Sequence, residues 1–169
     1  EPEKLVGGLR IALSLFPDAE GIICIENNKP AAVAVLNELI KNDKNMSIKV
    51  LKAKYPQGAE RNLVYAAVGR QFNSTMLPAD VGCIVQNVDT ICAIYRAVAE
   101  TTPLVRRIVT VSGEAVKEPQ NFNVPIGTSH AEVVEAAGGF TCEPKKIISG
   151  GPMMGVAVPD LTVPVLKQT

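Results

Sequence analysis

Between residues 1 and 101, short runs of β-branched and aliphatic residues alternate with segments whose apolar residues recur at helical spacing. That alternation limits the fold more than any other feature of the chain. Strands separated by helices pair in parallel through right-handed crossovers and leave helices covering the sheet. Gly21-Ile22-Ile23-Cys24-Ile25 has no polar alternation and suits a strand buried on both faces. Asn27 or Asn28 is placed to cap the next helix, Pro30 falls in its first turn, and Ala32, Val35, Leu36, Leu39 and Ile40 form its apolar stripe. Ile48 to Lys52 reads as a second strand. Gly58 then opens a helix carrying Leu63, Val64, Ala67 and Val68, which Gly69 is placed to end. Val81 to Val85 reads as a third strand, followed by a helix with Val88, Ile91, Cys92 and Tyr95 on one face. Ahead of all these, Leu5 to Phe16 carries a helical stripe, weakened by Gly7 and Gly8 and stopped by Pro17. The expected fold is α/β, a partial open and largely parallel sheet with covering helices.

Beyond Glu100-Thr101-Thr102-Pro103 the pattern changes. Val105 to Val111 reads as a strand, a turn falls near Gly113, and Phe122, Val124 and Ile126 alternate with polar or proline positions. Ser129-His130-Ala131-Glu132 has capping-box spacing, so a short helix follows to Ala137 and stops at Gly138-Gly139. Lys146 to Ser149, the turn Gly150-Gly151-Pro152 and a final strand near Val163 to Leu166 complete a β-grasp, ubiquitin-like order. Residues 1–101 and 102–169 are therefore expected to be two modules.

Composition excludes several classes of function. The 17 basic residues balance 17 acidic ones, so nucleic acid is not an expected partner. No apolar run approaches the roughly 20 residues needed to span a bilayer, and direct membrane insertion is not expected. Both ends read as cuts, at Glu1-Pro2-Glu3-Lys4 and at Gln168-Thr169. Cys24, Cys83, Cys92 and Cys142 are far apart and form no C-x-x-C pair, so a zinc or iron–sulfur site made by this chain alone is not expected. Cys24 and Cys83 lie in apolar runs and Cys92 on an apolar helix face, while Cys142 lies in a polar loop. His130, the single histidine, reads as solvated. Lys49, Lys52 and Lys54 read as a solvated or edge-protecting face at one strand edge. Nothing resembles a Ser–His–Asp or Cys–His constellation.

Two segments stand where ligands bind in open parallel sheets, beyond the carboxyl ends of strands and at helix N-termini. In Tyr55-Pro56-Gln57-Gly58-Ala59-Glu60, Gly58 permits close backbone approach, Tyr55 can stack, and Glu60 can accept from ligand hydroxyls or an amide. In Val85-Gln86-Asn87-Val88-Asp89-Thr90, Asn87 and Thr90 can bond a phosphate or a flavin edge, or can simply cap the helix. Gly150-Gly151-Pro152-Met153-Met154-Gly155 lacks the spacing of a phosphate loop and reads as a tight turn.

The phrases Ile25-Glu26-Asn27-Asn28-Lys29-Pro30, Lys54-Tyr55-Pro56-Gln57-Gly58-Ala59-Glu60, Leu77-Pro78-Ala79-Asp80-Val81-Gly82, Val85-Gln86-Asn87-Val88 and Gly150-Gly151-Pro152-Met153-Met154-Gly155 together resemble RnfC, the NADH-side subunit of the Rnf ion-translocating electron transport complex. More distantly, the chain is similar to the flavin-binding subunit of respiratory complex I. The resemblance implies a flavin-binding α/β domain followed by a soluble-ligand-binding β-grasp (SLBB) domain. It further implies hydride transfer from NADH to FMN, with electrons passed on to iron–sulfur clusters. Carried over residue by residue, it makes Tyr55, Gly58, Glu60, Val85, Gln86, Asn87 and Thr90 the FMN or NADH contacts.

The chain departs from the complex I pattern at Ala59, where a second acidic residue is usual, at Gln86 in place of Asn, and at Asp89 in place of Glu. By the same resemblance, a glycine-rich flavin loop lies upstream of Glu1, and two cysteine-ligated 4Fe–4S clusters lie downstream of Thr169. The chain alone is then expected to bind FMN weakly or not at all. The implied partners are the other membrane and peripheral subunits of the Rnf complex, at the cytoplasmic face of the bacterial inner membrane. A docking and ligand-binding module without redox activity of its own is the alternative.

Overall fold

A computed structural model describes residues 1–151 and 154–167. The chain divides into two compact units, Glu1–Pro103 and Leu104–Thr169. The first is built around a parallel strand pair. Strand β1 (Gly21–Glu26) pairs with β2 (Met46–Leu51) in register from Gly21 opposite Met46 to Glu26 opposite Leu51. Helices α1 (Pro2–Ser14) and α2 (Pro30–Ile40) supply the rest of the core, in which Val6, Leu13, Ile23, Leu36, Ile40 and Met46 are buried together. Between α2 and β2, Asp43 receives two hydrogen bonds from the Arg10 guanidinium at 3.0 and 2.8 Å. That guanidinium holds the Asp43 carboxyl below the usual range.

Three expectations for this unit need correction. First, β1 is not buried on both faces: Gly21 and Ile23 are buried, whereas Ile22 and Cys24 on the other face are only half-buried. Second, neither Asn27 nor Asn28 caps α2. Lys29 occupies the cap position, and the Asn27 carboxamide oxygen instead accepts from the Ala53 N–H at 3.0 Å, joining the segments that leave β1 and β2. Third, Val81–Val85 forms no strand. Pro78–Val81 is a 3-10 turn, and the chain from Gly82 to Asn87 pairs with no neighbour among the described residues. β-branched residues favour extended backbone, but a strand also needs a ladder partner, and this stretch has none.

Helix α3 (Glu60–Val68) ends at Gly69, whose φ of 73° is the left-handed conformation that glycine adopts without a Cβ penalty. The Lys49 ammonium, from the β2 position opposite Cys24, donates to the Ala67 carbonyl in the last turn of α3 at 2.7 Å. It is therefore not a purely solvated edge residue. Helix α4 (Val88–Ala99) packs on α1, with Ile91 and Cys92 buried. A Cβ at Gly8 would stand 2.0 Å from the Ile91 carbonyl oxygen, and one at Gly7 would stand 2.4 Å from the Tyr95 ring. The glycines that weaken α1 as a helix thus let it approach α4 closely. Lys4–Glu100 at 2.9 Å and an Arg96–Glu1 pair flank this contact.

In the second unit, β3 (Arg106–Val111) and β4 (Gln120–Pro125) form an antiparallel pair. Helix α5 (His130–Ala136) follows, with the capping box in place: Ser129 Oγ accepts from the Glu132 N–H, and Glu132 accepts from the Ser129 N–H. Strands β5 (Ile148–Ser149) and β6 (Val156–Ala157) make a short antiparallel pair. Pro152 and Met153, in the turn expected between them, lie outside the described residues. The expected last strand is reduced to a single bridge, Ser129 to Pro164, but its backbone still supports α5. Leu161 and Val163 carbonyls accept from the Ala131 and His130 N–H groups, first-turn donors that have no partner within the helix. Val165 is 1% exposed and packs with Val124 and Val133. His130 is not solvated: it is half-buried, with Nδ1 2.5 Å from the Val163 carbonyl oxygen and Nε2 3.0 Å from Ser149 Oγ.

Replacing Gly8 with alanine gains about 1 kcal/mol of helix propensity. A 2.0 Å approach to a backbone oxygen cannot be relieved by a rotamer change, and overpacking costs about 1–3 kcal/mol or more. The overpacking term wins, so Gly8→Ala is expected to destabilise the first unit, read as a lowered urea midpoint; a raised midpoint would refute the packing account.

Candidate functional site

The segment after β2 is a turn built on a cis Tyr55–Pro56 peptide, closed by Gln57 N–H donating to the Lys54 carbonyl at 2.8 Å. Ala59 N–H and Asn62 Nδ2 both donate to the Pro56 carbonyl, at 2.9 and 3.2 Å, and fix the entry into α3. Tyr55 is 74% exposed, with its ring free to meet another surface. A Cβ at Gly58 would meet nothing within 4 Å, so no internal packing demands glycine there. Glu60 is the first residue of α3, exposed, where the helix N-terminus favours its negative charge.

The second segment reaches its helix from the 3-10 turn. Asn87 caps α4, its Oδ1 accepting from the Asp89 N–H at 2.9 Å, while its amide N–H groups stay free among the described residues. Val85 and Thr90 are half-buried; Gln86 is exposed. Both segments therefore stand at the N-terminus of a helix. No hydrogen bond or ion pair joins Tyr55–Glu60 directly to Val85–Thr90 among the described residues. They are linked at one remove, by the Arg70 guanidinium on the Val81 and Gly82 carbonyls, which the sequence does not signal. Also unsignalled is an open apolar groove of about 440 Å³ lined by α1, α2 and α4, including Pro2, Ala31, Val35, Val88 and Cys92. Of the predicted segments, only Val88 reaches it.

Burial pushes the Cys24 and Cys92 thiols above their ordinary value, which keeps them protonated and unreactive at neutral pH. Cys83 is half-buried and Cys142 exposed. No group of three His, Cys, Asp or Glu side chains able to hold a metal occurs among the described residues.

The profile of the Nuo51 FMN-binding domain matches residues 1–96. The chain belongs to this family. A second profile, the SLBB domain, matches residues 108–157, the stretch that contains the β3–β4 pair and α5. The chain is 44% identical over 165 residues to a subunit of the proton-translocating ferredoxin:NAD(+) oxidoreductase complex of Clostridium ljungdahlii, covering 98% of this chain and 36% of the relative. It is 41% identical over 169 residues to a subunit of the Na(+)-translocating ferredoxin:NAD(+) oxidoreductase complex of Acetobacterium woodii, covering 100% of this chain and 38% of the relative. A subunit of the ion-translocating oxidoreductase complex of Pseudomonas aeruginosa is 37% identical over 164 residues, 97% of this chain and 21% of that one. Each of the three bears the letter C within its complex, as RnfC does, and together they bear out that resemblance. The chain spans less than two-fifths of the length of each.

The residues present suit the family's flavin. FMN carries a phosphate, ribityl hydroxyls and a ring edge with donors and acceptors. Tyr55, Glu60, Gln86 and Thr90 have no side-chain hydrogen bond or ion pair among the described residues. First-turn N–H groups of α3 and α4 have no intrahelical acceptor, although Asn87 Oδ1 takes that of Asp89. Asn87 serves α4 as well as any ligand, so Asn87→Ala is expected to cost about 1 kcal/mol of stability in the absence of flavin. Chemical denaturation checks this, and an unchanged midpoint would show the cap to be idle.

Proposed function

We propose that this chain is the central part of an electron-transfer subunit that passes electrons from NADH through FMN and iron–sulfur clusters into a membrane ion-translocating complex. Residues 1–101 are its share of the flavin and NADH domain, and residues 102–169 its SLBB domain. The observation that carries the reading is the pair of helix N-termini in the family-matched residues 1–96, where the side chains of Tyr55, Glu60, Gln86 and Thr90 make no hydrogen bond or ion pair among the described residues.

Bound FMN supplies the exchange between two-electron and one-electron chemistry. In this reading Tyr55 offers a stacking face, Gly58 lets the ligand approach the backbone, and Glu60 accepts from hydroxyl or amide donors. Val85 and Gln86 would line the site, Asn87 would donate to an acceptor on the ring while still capping α4, and Thr90 with the α4 N-terminus would meet an anionic group. The subunit's iron–sulfur clusters belong to the longer protein. Its partners are the other subunits of the complex. No helix among the described residues is long and apolar enough to cross a membrane, and we place the subunit peripherally at the cytoplasmic face of the bacterial inner membrane, held by those partners.

A flavin-fluorescence titration tests this, comparing the chain with the full-length subunit. The full-length protein is expected to bind FMN, Asn87→Ala and Glu60→Gln to weaken it about tenfold or more, and the chain alone to bind weakly or not at all. Absence of binding by a folded full-length subunit would replace this reading with that of a docking module.

A further inference from the structure

The stretch Gly82–Asn87 leads into α4 and carries Val85, Gln86 and Asn87, yet it has no ladder partner among the described residues, and Ile84 within it is 66% exposed. Backbone without a ladder partner has no cooperative hold on its position. Among the described residues, the hydrogen bonds that hold its start from beyond the adjoining 3-10 turn come from one side chain. Arg70 Nη1 donates to the Val81 carbonyl at 2.7 Å and the Gly82 carbonyl at 3.0 Å, and lies 3.7 Å from Cys83 Sγ. The 3-10 turn assists locally, with Gly82 and Cys83 N–H groups donating to the Ala79 and Pro78 carbonyls.

Arg70 comes from the other half of the site. Helix α3 starts at Glu60, ends at Gly69 in the left-handed conformation, and the turn there presents Arg70 to the carbonyls of the second segment. Among the described residues, every hydrogen bond between the stretch 52–70 and the stretch 81–90 is made by Arg70. Gly82 is fitted to the contact: its φ is +66°, and a Cβ there would stand 3.0 Å from Arg70 Nη1. A guanidinium suits the task because it is always charged and its bonds to carbonyls are charge-assisted.

We propose that Arg70 is a positioning residue of the flavin site, a clamp that sets the Val85–Asn87 segment at a fixed distance from the α3 segment carrying Glu60. This rests on the flavin reading above, but the clamp can be tested without flavin.

In the full-length subunit, Arg70→Gln is expected to speed amide exchange across residues 82–87 with no flavin present, and to weaken FMN binding about tenfold. Arg70→Lys keeps a donor cation on a long stem and is expected to recover most of both losses, which a general loss of stability would not do. Gly82→Ala strains the left-handed backbone at this contact and crowds Arg70 Nη1, and is expected to speed exchange across residues 82–87 as well, a check that stands if Arg70→Gln folds poorly. Unchanged exchange and unchanged affinity in Arg70→Gln and Gly82→Ala would overturn the clamp and leave the flavin reading intact. Failure of the unsubstituted subunit to take up FMN would overturn the flavin reading, and the exchange of residues 82–87 would then decide the clamp by itself.

Discussion

Parallel pairing of β1 with β2 obliges the chain to return along the sheet between them, so the helix after each strand starts near the strands' carboxyl ends. The α3 half of the proposed site depends on that constraint. It puts the Asn27 side chain beside the Ala53 N–H, ties together the two chain segments leaving the sheet, and sets the entry into α3 where Glu60 stands. Two paired strands are a small platform, and side-chain contacts do the positioning that a wider sheet would do.

The α1–α4 contact is the second support. Helix α4 follows no paired strand, so its N-terminus is located by packing on α1. Gly7 and Gly8 let the helices close to a separation that any Cβ would forbid. Lys4, Glu1, Arg96 and Glu100 flank the contact with ion pairs; pairs exposed to water are screened and contribute little, so the glycine packing dominates. With Val88–Thr90 held in α4 and the chain at Val81 and Gly82 held by Arg70, the polar side chains of Gln86 and Asn87 are presented without a strand beneath them.

What the sequence made legible is what periodicity encodes. The stripe Val35, Leu36, Leu39, Ile40 and the run Gly21–Ile25 mark α2 and β1 because burial of one face demands apolar residues at fixed intervals. The capping box at Ser129 and Glu132 is equally local. Long-range contacts leave no such trace. Asn27 looks like a cap and bonds a residue 26 positions away; His130 looks solvated and bridges Ser149 and Val163; Gly7 and Gly8 look like flaws in a helix. Val81–Val85 has strand composition without a strand partner, and β6, two residues long, has no pattern to read. For the site, the loop-to-helix positions of Tyr55–Glu60 and Val85–Thr90 were legible, whereas Arg70, a side chain bonded to distant carbonyls, was not.

The central claim is that these two segments, at the N-termini of α3 and α4, are both walls of one flavin site. The most direct measurement is the amide-exchange footprint of FMN on the full-length subunit. The account predicts that FMN slows exchange in both segments, around residues 55–62 and around residues 85–91. Protection of one segment without the other, or protection confined to residues 104–167, would contradict it.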